Sequence, residues 1–131
     1  MLVYSATSNG SPQVAWQLMA QPAQWHRWAP HICGARGLGT PEVEKGRSGF
    51  VVLASGLPIP VRITDKQPVR SWDWRVGAVN MRHTVQERPG GCEVRVELRA
   101  AAAVELALRA GYGPVVGLLV RNLARVTANR T

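Results

Sequence analysis

One histidine stands in the setting most suited to chemistry. His83 lies between Met81 and Val85 at period two, opposite the polar set Arg82, Thr84 and Gln86, so it shares an apolar strand face. An imidazole there can serve as general acid or base, or hydrogen-bond a bound molecule, and burial lowers its pKa. Against this, a lone inward histidine is more often a hydrogen-bonded core residue. No Ser/His/Asp or Cys/His pairing is legible beside it, and the nearby acids Asp73 and Glu97 alternate outward. The indole N–H of Trp72 or Trp74 and the Tyr112 hydroxyl add polar tips to largely apolar bodies.

A second cluster, His26, His31 and Cys33, has the wrong spacing for a zinc site and lacks a fourth ligand. No metal and no cofactor are expected. Cys33 and Cys92 are far apart and are read as reduced thiols of a cytoplasmic protein.

These residues need a scaffold, and the chain is long enough for one. Its 131 residues, 46% hydrophobic and 18% charged, suit one domain over residues 1–131 with a single core. The net charge of +8 comes from scattered arginines, with Lys45 and Lys66 as the lysines. There is no basic run, no helix-turn-helix spacing and no aromatic ladder, so no specific nucleic-acid partner is expected. No uninterrupted apolar stretch reaches about 18 residues, so no transmembrane segment is expected, and the start lacks a secretory signal pattern.

Leu2 to Ser8 reads as a strand, turned by Asn9-Gly10. Ser11 is a natural N-cap and Pro12 suits the first helical position, where its missing N–H costs nothing. Gln21-Pro22 ends that helix, and Pro22 opens a short second one to about Trp28. Strands are predicted over Ile32–Leu38, Gly46–Ser55 and Ile59–Lys66, with Phe50, Val52 and Ala54 sharing one face. Ile59, Val61 and Ile63 share another. The clearest alternation follows: Trp72, Trp74 and Val76, then Met81, His83 and Val85, then Val94, Val96 and Leu98, joined by Gly77-Ala78 and Pro89-Gly90-Gly91. That is an antiparallel meander with one charged face, carrying Arg62, Arg75, Arg82 and Arg95 among Asp73, Glu93 and Glu97. Ala100–Gly111 is compatible with a helix or with an extension of the last strand. From there Tyr112, Val115, Leu119, Leu123 and Val126 recur at helical spacing.

This order resembles the SRPBCC superfamily, the helix-grip group of START domains, Bet v 1-like plant proteins and bacterial polyketide cyclase/dehydrase-like proteins. The resemblance is carried by Ser11-Pro12 with Val14 and Trp16, by Trp25-x-x-Trp28-x-Pro30, and by the run Ile59 to Thr64. Trp72-Asp73-Trp74, His83, the Pro89-Gly90-Gly91 hairpin and Arg121-Asn122-Leu123 complete it, over essentially the whole chain. It implies an α+β helix-grip fold, a curved antiparallel sheet wrapped around a long C-terminal helix with two short helices after the first strand.

The fold in turn implies an internal pocket. Its expected lining is Phe50, Val52, Val61 and Ile63, then Trp72, Trp74, Met81, His83, Val85, Val94 and Val96. Trp28 would stand near the entrance with Trp25, His26 and His31. Tyr112, Val115, Val116, Leu119 and Leu123 would cover the pocket from the last helix. The leading expectation is a binding protein for a small hydrophobic or aromatic, lipid- or polyketide-like molecule. The alternatives are a cyclase or dehydratase using His83 or Tyr112 for proton transfer, and a non-catalytic interaction module with a filled core. An acidic carrier protein is a partner only for the cyclase, and monomer and homodimer both stay open.

Overall fold

The computed structural model describes all of residues 1–131. Seven strands form one antiparallel sheet: β1 (Leu2–Ser8), β2 (Ile32–Arg36), β3 (Ser48–Leu53), β4 (Pro58–Gln67), β5 (Ser71–Val76), β6 (Val79–Arg88) and β7 (Gly91–Arg99). Their spatial order is β1-β7-β6-β5-β4-β3-β2, so β2 to β7 form a continuous meander and β1 closes onto the last strand. Alternation fixes which face is inner. Trp72 and Trp74, Met81, His83 and Val85, and Cys92, Val94, Val96 and Leu98 are all buried, and the residues between them are not.

The outer face is wet and paired. The Arg82 guanidinium forks onto both Asp73 carboxylate oxygens across the β5–β6 register, at 3.1 and 3.2 Å from Nε. Arg95 reaches Glu93 at 2.7 Å. Such exposed pairs contribute about 1 kcal/mol at most.

Helix α1 (Pro12–Ala20) starts as its residues require, with Ser11 Oγ accepting from Val14 N–H at 3.1 Å and Pro12 in the first turn. A 3-10 helix, Pro22–Arg27, follows directly. Ala102–Ala110 is a helix, α2, with no buried residue, which settles the segment left open by sequence. At Gly111 the chain bends by 63° into α3 (Tyr112–Arg130), which lies along the inner face of the sheet. No single helix is long and apolar enough to cross a membrane.

Two expected phases are corrected. In β3 the inward residues are Val51 and Leu53, whereas Phe50 is 46% exposed and Val52 only half-buried on the opposite face. Cross-strand register is the cause: Val51 pairs with Ile59 and Phe50 with Pro60, and directly paired residues share a face. In α3 the buried stripe is Gly113, Val116, Val120, Leu123, Ala124 and Thr127. Val115 is 40% exposed and Tyr112 sits at the rim, so the expected stripe is rotated by about one residue. The small residues set that rotation. A Cβ at Gly113 would overlap the Tyr4 hydroxyl, and one at Gly117 would lie 3.3 Å from Tyr4 Cδ1. The helix turns its glycines to the Tyr4 ring and comes down onto β1.

Candidate functional site

The site begins with an aromatic cluster. In a 3-10 helix residues three apart eclipse one another, so Trp25 and the C-capping Trp28 project to the same side. Both indoles reach back to α1. Trp25 Nε1 donates to Met19 O at 2.8 Å and Trp28 Nε1 to Leu18 O at 2.7 Å, satisfying carbonyls that the helix end leaves free. Asn122 of α3 donates to Trp28 O at 2.8 Å and ties the turn to the long helix.

On the sheet, Trp72 and His83 face each other directly across β5 and β6, as do Trp74 and Met81. The Trp72 ring is parallel to Trp25 (centroids 5.7 Å, 13°) and to His83 (3.8 Å, 9°). Trp74 stands edge-on to Trp25, Trp72 and His83. Its Nε1 donates to Met81 Sδ at 3.0 Å. Trp72 Nε1 is the one sealed side-chain nitrogen or oxygen without a partner. An orphaned buried donor costs about 1–3 kcal/mol, which the ring contacts around it must offset.

His83 Nδ1 lies 3.2 Å from Trp72 O. Burial pushes its pKa down to about 3, against the opposing pull of that carbonyl, so the ring is neutral at ordinary pH. Burial also lowers the pKa of His31 and raises that of Tyr112. Although 42% of Tyr112 is exposed, its phenol flanks the apolar cleft.

Two adjoining cavities open beside this cluster. An inner one of about 40 Å³ is lined by Trp25, Trp28, Trp72, His83, Val96, Val116 and Leu119, among others. An outer cleft of about 230 Å³ is walled by Val51, Leu53, Ile59, Val61 and Val76. His31, Ile32, Trp74, Met81 and Tyr112 line both. No charged side chain lines either one. A larger surface groove of about 530 Å³ lies elsewhere, between the 3-10 helix, β2 and the loop before β3. It is lined by polar and glycine-rich backbone and includes His26 and Cys33.

Of the residues expected at the pocket, Trp28, Val61, Trp72, Trp74, Met81, His83, Val96, Tyr112, Val116 and Leu119 come together here. Phe50 and Val52 do not, because β3 is in the opposite phase. Ile63 and Val85 face inward but are packed core beyond the cavities, 0% and 4% exposed. His26 faces the outer groove with Cys33 while His31 faces the cleft, and no three His, Cys, Asp or Glu side chains converge. Sequence reasoning missed Val51, Leu53, Ile32 and Val76 as lining residues. The paired phase of β3 against Ile59 and Val61 was the available signal.

A long helix gripped by a curved antiparallel sheet, with an apolar cleft between them, defines the SRPBCC or START-like class. Residues 2–129 match the family described as polyketide cyclase / dehydrase and lipid transport, and the chain belongs to that family. No curated protein matches the sequence. Solved structures share the fold at low identity. Protein SSP2350 of Staphylococcus saprophyticus superposes with a TM-score of 0.78 at 9% identity, covering 93% of this chain and 87% of its own. Protein NE0264 of Nitrosomonas europaea gives 0.69 at 14%, over 97% and 96%. XoxI of Bacillus cereus gives 0.67 at 17%, over 96% and 94%.

Proposed function

We propose that this protein binds a small hydrophobic, aromatic-type molecule in the cleft between the sheet and the start of α3. The observation that carries the reading is the paired cavity itself, walled by aliphatic and aromatic side chains and free of charge. Apolar burial supplies the affinity, and His83, His31 and Tyr112 supply the few polar contacts. Size narrows the ligand. At about 230 Å³ the outer cleft is below the usual 300–1,000 Å³ of ligand pockets. One or two fused rings, or a short chain, fit better than a sterol or a whole phospholipid.

Acid–base catalysis is less well supported. No carboxylate lines the cavities, and a histidine with a pKa near 3 is a weak base and is not the imidazolium acid at neutral pH. The exposed Cys33 thiol and the buried Cys92 suit a reducing, cytoplasmic compartment.

The test is to fill the cleft. Leu53 is half-buried on its wall, and Leu53→Trp places an indole in existing space. The neutral probe N-phenylnaphthylamine should brighten with the wild-type protein and bind the variant about tenfold or more weakly, with the fold intact by circular dichroism. Unchanged brightening in the variant would place the probe elsewhere and refute the reading.

A further inference from the structure

The polar character of the ligand can be read from His83. A backbone carbonyl only accepts, so the contact between Nδ1 and Trp72 O places the imidazole proton on Nδ1. A neutral ring has one N–H, which leaves a lone pair on Nε2. That atom has no protein partner, and it is not sealed off as Trp72 Nε1 is, while His83 lines the inner cavity. The deep end of the cleft therefore presents an acceptor.

We propose that the cleft selects an apolar molecule carrying a hydroxyl donor, a phenol or an enol, whose O–H donates to His83 Nε2. This rests on the reading of the cleft as an apolar-ligand site and adds the functional group. The two volumes agree with it. The inner cavity of about 40 Å³ is of the size that holds a single water, so it admits a hydroxyl and little more. The ring then lies in the outer cleft, among the residues shared by both cavities, Trp74, Met81 and Tyr112.

The arrangement also rejects a carboxylate. An anion would meet a lone pair at Nε2 with no arginine or lysine lining either cavity, and burying an unpaired charge is costly. The proton stays on the ligand oxygen: the ring, with a pKa near 3, is far too weak a base to take it from a phenol.

Calorimetric titration of the wild-type protein with naphthol, methoxynaphthalene and naphthoate tests this. Naphthol should bind about tenfold more tightly than its methyl ether, the contribution of one hydrogen bond in an apolar site, and naphthoate more weakly than either. In nitrogen NMR of the same protein, the His83 Nε2 resonance should move on naphthol binding while Nδ1 keeps its proton. His83→Phe should erase the preference for naphthol over the ether. Equal affinity for naphthol and methoxynaphthalene, or tighter binding of naphthoate, overturns the proposal and leaves the apolar site standing. No binding of any of the three overturns the apolar-site reading itself, and the proposal with it.

Discussion

The His83 imidazole lies flat on the Trp72 indole, centroids 3.8 Å apart, while its own Nδ1 donates to the Trp72 carbonyl. One residue thus holds the histidine by both its ring and its backbone. Direct pairing of the two positions across β5 and β6 makes that double contact possible. It fixes the tautomer and leaves Nε2 as the free nitrogen of a ring that lines the inner cavity.

Acid should expose the cost of keeping that ring neutral. The folded pKa, about 3, is below the ordinary value of 6.5, so between those limits the unfolded chain binds more protons. The stability is present in full above about pH 6.5 and is lost as pH falls toward about 3, at up to 1.36 kcal/mol per pH unit. Between pH 7 and pH 4, urea unfolding should show the wild type losing about 3 kcal/mol more than His83→Phe. The carboxylates are common to both proteins and cancel. Parallel losses would show that His83 titrates normally in the fold.

Gly113 should tolerate no side chain. A Cβ there would overlap the Tyr4 hydroxyl and lie 2.8 Å from Leu108 O, so α3 would have to lift from β1. Gly113→Ala should cost about 2 kcal/mol despite the better helix propensity of alanine. At Gly117 the nearest atom would be 3.3 Å away, so Gly117→Ala should cost much less. Thermal melts of the two variants make the comparison, and equal midpoints would contradict this seating of the helix.

Val69 offers the opposite sign. It is a β-branched residue at φ 62°, in the turn between β4 and β5, and its side chain is 55% exposed. The left-handed region is unfavourable for such a side chain and little packing compensates it. Val69→Gly should therefore stabilise the protein by about 1 kcal/mol, seen as a higher urea midpoint at unchanged slope. A lower midpoint would mean that the valine packing outweighs the strain.

Legibility in the sequence followed the strength of local signals. Ser11-Pro12 announces α1 because capping chemistry is local, and the run from Trp72 to Leu98 announces three strands because polar residues mark every other position. Residues Phe50 to Leu53 are apolar throughout, so nothing local sets their phase, and the register with β4 decides it. The seating of α3 was hidden for a related reason. Its closest approach to the sheet runs through Gly113 and Gly117, residues that a count of large apolar side chains ignores. The cleft walls then followed those two phases, which is why Val51 and Leu53 replaced Phe50 and Val52.

The most direct measurement is a methyl NMR titration of the wild-type protein with naphthol. Binding in the cleft should shift the methyls of Ile59, Val61 and Met81, which line it, and leave those of Val94 and Leu98 in the packed core unmoved. Shifts confined to exposed residues such as Leu106 and Leu118, or no shifts at saturating naphthol, would contradict the account.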